Sequence, residues 1–254
     1  MVRRGRIIAV EGPSAAGKTS VVRAAAHAFG WRAVPEAFDR IDPPPSLRFR
    51  TSQELLTLER TLLAEEGRRY QEAVEGRRRG RTVIADTGFL GPLTYTAGLV
   101  HLGDAAPKVL EALRSLVDGP EPSFRLGLPD GIVYLDVPSR VRRRRSLGDP
   151  VRHPEEFRER HEAVARIERR FCRALARGLL SGRVRFVSGT GTPERVASRV
   201  RVAARSFEAH RGARPTLAAV LALLRKGPGP SPARRRRPSP ATVMKPARPW
   251  RPPR

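Results

Sequence analysis

Residues 9–22 read AVEGPSAAGKTSVV, an apolar run that breaks at Glu11 into small residues and closes on Gly17-Lys18-Thr19. The spacing Gly12-x4-Gly17-Lys18-Thr19 lies between a strand-like segment and a helix-like one, the setting in which this pattern holds phosphate. Glycines let backbone N–H groups curl around an anion, and the N-terminus of the following helix adds partial positive charge. Lys18 then brings a full charge to the β- and γ-phosphates, and the Thr19 hydroxyl is a ligand for Mg²⁺. Given this chain's composition, a chance match anywhere in it has a probability of about 0.003. The nucleotide-binding residues expected are Gly12, Pro13, Ser14, Ala15, Ala16, Gly17, Lys18, Thr19 and Ser20, and the expected cofactors are ATP and Mg²⁺.

Outward from that loop, short β-branched runs recur at 6–11, 31–36, 82–87, 131–137 and 183–188. They are apolar on both faces, as buried parallel strands are. Helical spacing fills the intervals. One helix is expected over 18–29, and a long one over 52–79 with Leu55, Leu58 and Leu62 on one stripe and Leu63, Tyr70 and Val74 beside it. Another opens at Pro154 and carries Phe157, His161, Val164, Phe171, Leu175 and Leu179, and a fourth runs from Thr192-Pro193-Glu194 to about residue 209. Strands alternating with helices predict a three-layer α/β domain on a five-stranded, mainly parallel sheet.

The chain has 254 residues and a net charge of +25, carried by far more Arg than Lys, with no Asn at all. Such a bias reads as codon usage across the body of the protein. Cys172 is the single cysteine, so no intramolecular disulfide forms, and no Cys/His cluster has zinc spacing. Only residues 7–10 form an apolar run near the N-terminus, too short for a signal-peptide core. No apolar segment reaches the roughly 18 residues a membrane span needs. A cytoplasmic protein with no membrane partner is the expectation.

Gripping a triphosphate serves switches, motors and kinases, and the other strand ends choose among them. A guanine-selective switch reads its base with Asn-Lys-x-Asp, which a chain without Asn cannot carry. A motor is expected to end a strand in adjacent acids, and none of the five does. The strand ends instead offer single carboxylates, Glu36, Asp86 and Asp136. Ligands of a parallel sheet sit beyond the carboxyl ends of its strands, so Glu36 and Asp86 converge in front of Lys18, as phosphoryl transfer to a small acceptor requires.

EGPSAAGKT, VPEAFDR, DTGFLGPLTY, YLDVPSRVRRRR and RFVSGTGTPERVASRV occur in that order over residues 6–208. Together they resemble the thymidylate kinase and deoxynucleoside kinase group of P-loop phosphotransferases. The resemblance implies a P-loop NTPase fold with a helical, Arg-rich lid, and a homodimer. It makes Glu36 the general base toward an acceptor hydroxyl and Asp86 a contact of Mg²⁺ or the acceptor. It places Arg140, Arg142, Arg143, Arg144 and Arg145 in the lid, with Arg142 and Arg145 sharing a face and chosen as the catalytic pair. Lys18, Glu36, Asp86, Arg142 and Arg145 are thus the catalytic candidates, and Thr19 and Asp86 the metal candidates. One departure stands out: Thr87 follows the strand-3 acid where thymidylate kinases carry an Arg that grips the acceptor's phosphate. Asp86-Thr87-x-Phe89 looks closer to ribosylnicotinamide kinases. The acceptor, nucleoside or nucleotide, is expected between the long helix and residues 89–99, with Tyr70, Phe89 and Tyr95 available to stack on a base.

The domain is expected over 1–210, followed by a short docked helix within 211–226. Residues 211–254 carry +12 of the charge, and 227–254 hold nine prolines and the run Arg234-Arg235-Arg236-Arg237, a composition that predicts disorder. Two other readings stand beside the leading one: a nucleic-acid-associated ATPase that contacts polyanion through the tail, and, with Thr87 in place of a phosphate clamp, a kinase of a non-nucleoside hydroxyl compound such as an antibiotic.

Overall fold

The computed structural model describes residues 5–148, 158–207 and 216–226. Expectations about the Pro154 helix start, Phe157, the end of the 192–209 helix and the tail fall outside these residues. Five strands, β1 (Arg6–Glu11), β2 (Arg32–Val34), β3 (Thr82–Asp86), β4 (Gly131–Asp136) and β5 (Val184–Ser188), form one sheet in the order β2-β3-β1-β4-β5. Every pairing is parallel, with Val10 beside Asp86 and Glu11 beside Tyr134. The order matters for function, because β3 lies directly against β1 and brings its last residue to the root of the phosphate loop.

Alternation along the strands sorts two cores. Ile8, Val10, Ile84, Val133 and Leu135 face one side, covered by α1 (Lys18–Phe29) and α7 (Pro193–Ser206). Ile7, Ala9, Val83, Ala85 and Ile132 face the other side. There they meet α2 (Ser52–Arg78), α3 (Gly91–Leu102), α4 (Pro107–Asp118), α6 (Arg158–Arg177) and α8 (Leu217–Lys226). This is the three-layer P-loop arrangement expected, with the short Arg-rich α5 (Ser139–Ser146) leaving the end of β4. Among the described residues no helix is long and apolar enough to cross a membrane.

Local chemistry fixes the boundaries. α2 starts where Thr51 accepts from the Glu54 N–H (3.1 Å) while Glu54 accepts from the Arg50 N–H (2.6 Å), a reciprocal cap of orphan donors. Thr192 caps α7 one way, accepting from the Arg195 N–H, with Pro193 in its first turn. The stripe read through α6 stops earlier than expected. α6 ends at Arg177, Leu179 lies 41% exposed, and Leu180 takes the core position.

Candidate active site

The loop after β1 closes through backbone conformations that favour glycine. Gly12 has φ +147°, Gly17 +88° and Ala15 +59°, so successive N–H groups turn inward to form an anion nest. Gly17 is the residue from which α1 springs. The Lys18 ammonium donates to the Gly12 carbonyl at 3.1 Å, which holds it over the mouth of the loop. Gly12, Ser14, Ala15, Ala16, Gly17, Lys18, Thr19 and Ser20 all line one cavity of 470 Å³, whereas Pro13 stays in the loop's frame and accepts from the Ala16 N–H (3.1 Å).

Of the two strand-end acids, Glu36 lines that cavity and Asp86 does not, although Asp86 is near enough to feel the charge of both Glu36 and Lys18. Glu36, after β2, accepts from the Thr87 hydroxyl at 3.2 Å and lines the cavity. Its loop is pinned by Arg40, whose guanidinium meets Glu65 (2.8 Å) and Glu72 (2.7 Å) on α2. Asp86 is 1% exposed, and neither carboxyl oxygen has a hydrogen-bond partner. Burial raises its pKa; Lys18 lowers it, and the Thr19 hydroxyl is near enough to favour the charged form without meeting hydrogen-bond geometry. An orphaned carboxylate beside a hydroxyl and an ammonium fits a divalent cation shared with phosphate. No group of three or more His, Cys, Asp or Glu among the described residues could hold a metal by itself.

Several charged residues here were not singled out from sequence. Glu11 accepts from the Gly88 N–H (2.9 Å); burial pushes its carboxyl up to about 7 against the pull of Lys18. Glu168 of α6 also lines the cavity, raised by burial and opposed by Lys18 and Arg142. Arg69 of α2 is 0% exposed. Its guanidinium donates to the carbonyls of Pro35 (2.5 Å), Asp86 (2.5 Å) and Thr87 (3.3 Å) and pairs with Glu66. It thereby ties the carboxyl ends of β2 and β3 to one helix. Glu59, Glu66 and Arg69 repeat at helical spacing with Leu55 and Leu62, so α2 is charged on a stripe that its leucines made look apolar.

The lid arginines divide. Arg142 is 8% exposed and pairs with Glu162 of α6 at 2.6 Å, whereas Arg145 donates to the carbonyls of Ala16 (2.7 Å) and Gly189 (3.3 Å). Arg145 therefore touches the phosphate loop and Arg142 the α6 wall, while Arg140, Arg143 and Arg144 are exposed. Neither Arg142 nor Arg145 lines the cavity. Asp136 is engaged by Arg169. Of the three stacking candidates, Phe89 and Tyr95 line the cavity and Tyr70 does not. Tyr70 packs edge-on against Phe89 with centroids 5.3 Å apart, a core role that removes it from the acceptor wall.

A family model described as an AAA domain matches residues 7–118. No curated protein matches the chain. Among solved structures, deoxyadenosine kinase from M. mycoides with bound dATP is similar at TM-score 0.59 and 12% identity, over 80% of this chain and 100% of that one. The same enzyme with dCMP and dCDP gives 0.55 and 13%, over 79% and 99%; with bound dCTP it gives 0.52 and 13%, over 80% and 100%. At these identities it is the fold that is shared. The chain has the P-loop fold of the deoxynucleoside kinase group, as its motifs led us to expect.

Proposed function

We propose that the protein is an ATP-dependent phosphotransferase that moves the γ-phosphoryl group to a hydroxyl of a small acceptor of the nucleoside class. The observation that carries this reading is that the phosphate loop and Glu36 line the same cavity, whose 470 Å³ leaves room for a second small molecule beside the loop. The Gly12–Ser20 amides and Lys18 would hold the triphosphate. Thr19 and Asp86 would hold Mg²⁺, which when bound supplies charge neutralisation at the β- and γ-phosphate oxygens. Glu36 would take the proton of the acceptor hydroxyl as its oxygen bonds to phosphorus and the bond to the leaving ADP oxygen breaks. Arg145, whose guanidinium touches the loop at the Ala16 carbonyl, would stabilise charge on the transferred group, and Arg142 would join it only by leaving Glu162. We place the reaction in the cytoplasm, where a lone thiol such as Cys172 stays reduced.

A hydroxyl acceptor is favoured over a phosphate acceptor by the cavity wall. Among the described residues it contains no Arg, in a chain that is exceptionally rich in Arg. A phosphate-bearing acceptor would find only Lys18, which the triphosphate itself requires. The test is transfer of labelled γ-phosphate from ATP to a panel of nucleosides, nucleotides and hydroxylated antibiotics. A labelled nucleoside or other hydroxyl product is expected, and Glu36→Gln should lower its rate by about 10²-fold or more with the Mg·ATP affinity retained. Exclusive labelling of nucleotides would contradict the hydroxyl reading, and an unchanged rate would remove Glu36 as the base.

A further inference from the structure

The same cavity holds a feature that phosphoryl transfer does not use. Beyond Glu36 and the loop it is lined by Glu59 and Glu66 of α2 and Glu168 of α6, amid leucines and aromatic rings. Glu66 has Arg69 as its partner. Glu59 has none: it is 2% exposed, and its Oε2 is fully buried without a hydrogen bond. A carboxyl in that position is strongly disfavoured as an uncompensated charge. Burial holds it up to about 8, and no basic group of the described residues offsets that effect.

The groups around Glu59 do not supply the missing charge. Tyr95 of α3 is close enough to feel Glu59, which together with burial raises the phenol's pKa. His161 of α6 stands edge-on to the Tyr95 ring at 6.4 Å. Arg160 of α6 is turned to Asp104 (3.4 Å) and lies over the Phe49 ring (5.3 Å). Glu168, also on α6, adds a second acid to the same wall. The chamber therefore presents aromatic faces together with carboxyl groups that a bound cation would ionise and pair with.

We infer that the acceptor carries a positive charge, as a quaternary or protonated amine or an N-alkylated aromatic ring, held at Glu59 and the aromatic wall while its hydroxyl faces Glu36. This rests on the phosphotransferase reading and narrows its substrate class. Binding such a group would ionise Glu59 and release its proton, converting an isolated buried acid into a paired one.

Matched probes test this by calorimetry, with Mg²⁺ and a non-hydrolysable ATP analogue present. Choline is compared with its uncharged carbon isostere 3,3-dimethylbutan-1-ol, and 1-methyladenosine, a cation at neutral pH, with adenosine. The charged member of at least one pair should bind about tenfold tighter or more, and Glu59→Gln should erase the preference. Equal or tighter binding of the uncharged member in both pairs, no binding by either cation, or a preference unaffected by Glu59→Gln would overturn the inference. The wild-type comparison decides by itself where Glu59→Gln fails to fold. Mg·ATP uptake, titrated first, separates the two claims. Uptake without charge preference sinks only the cationic acceptor, whereas no uptake sinks the phosphotransferase reading and this inference with it.

Discussion

Thr87 sits at φ +66°, a region that a β-branched side chain occupies only under strain, at a cost of about 1–3 kcal/mol. Arg69 clamps its carbonyl and Glu36 receives its hydroxyl, so the strained residue links the helix α2 tie to the candidate base. Thr87→Gly should raise stability by about 1 kcal/mol in chemical denaturation while removing the group that orients Glu36; a loss of stability would show that the turn is not strained. Glu59 makes a second prediction at this scale. Its pKa rises from 4.5 unfolded to about 8 folded, so between those values the native state binds the extra proton. Stability from this group is complete at low pH and is lost as pH rises through the folded value. The wild type should therefore lose more stability from about pH 5 to about pH 9 than Glu59→Gln, with parallel profiles as the contrary result.

At the scale of elements, what could be read from the sequence followed from how each segment is buried. The 18–29 helix announced itself through the glycine loop ahead of it, and α2 through its leucine stripe, Leu55, Leu58 and Leu62. α3 gave no stripe because it is apolar nearly all round, packed against α2, α4 and α6. α4 was legible and missed: Val109, Leu110 and Leu113 have helical spacing and form its buried face. Arg69 was hidden by composition, since one structural arginine does not stand out among dozens. Its role is to fasten α2 to two strand ends, which only a planar fork of donors can do. Arg69→Lys should cost about 3 kcal/mol or more in denaturation, because carbonyls and Glu66 are left buried and unpaired. A loss under about 1 kcal/mol would mean that water replaces the fork.

Across the whole molecule, the sheet order is what turns a phosphate loop into a candidate transfer site. With β3 beside β1, Asp86 lies one strand from Val10, and with β2 beyond it Glu36 meets Thr87, the residue after Asp86. The loop, both acids and the general fold could be read in advance, because each depends on a local pattern or on strand order. The acidic inner wall could not, because it is assembled from α2 and α6, far apart in the chain. The account stands on the loop's grip on a triphosphate. Calorimetric titration of the intact protein with Mg·ATP should show one molecule bound per chain, and Lys18→Ala should weaken it by about 10²-fold or more with the fold intact by circular dichroism. No uptake by the folded wild type, or equal uptake by both proteins, would contradict it.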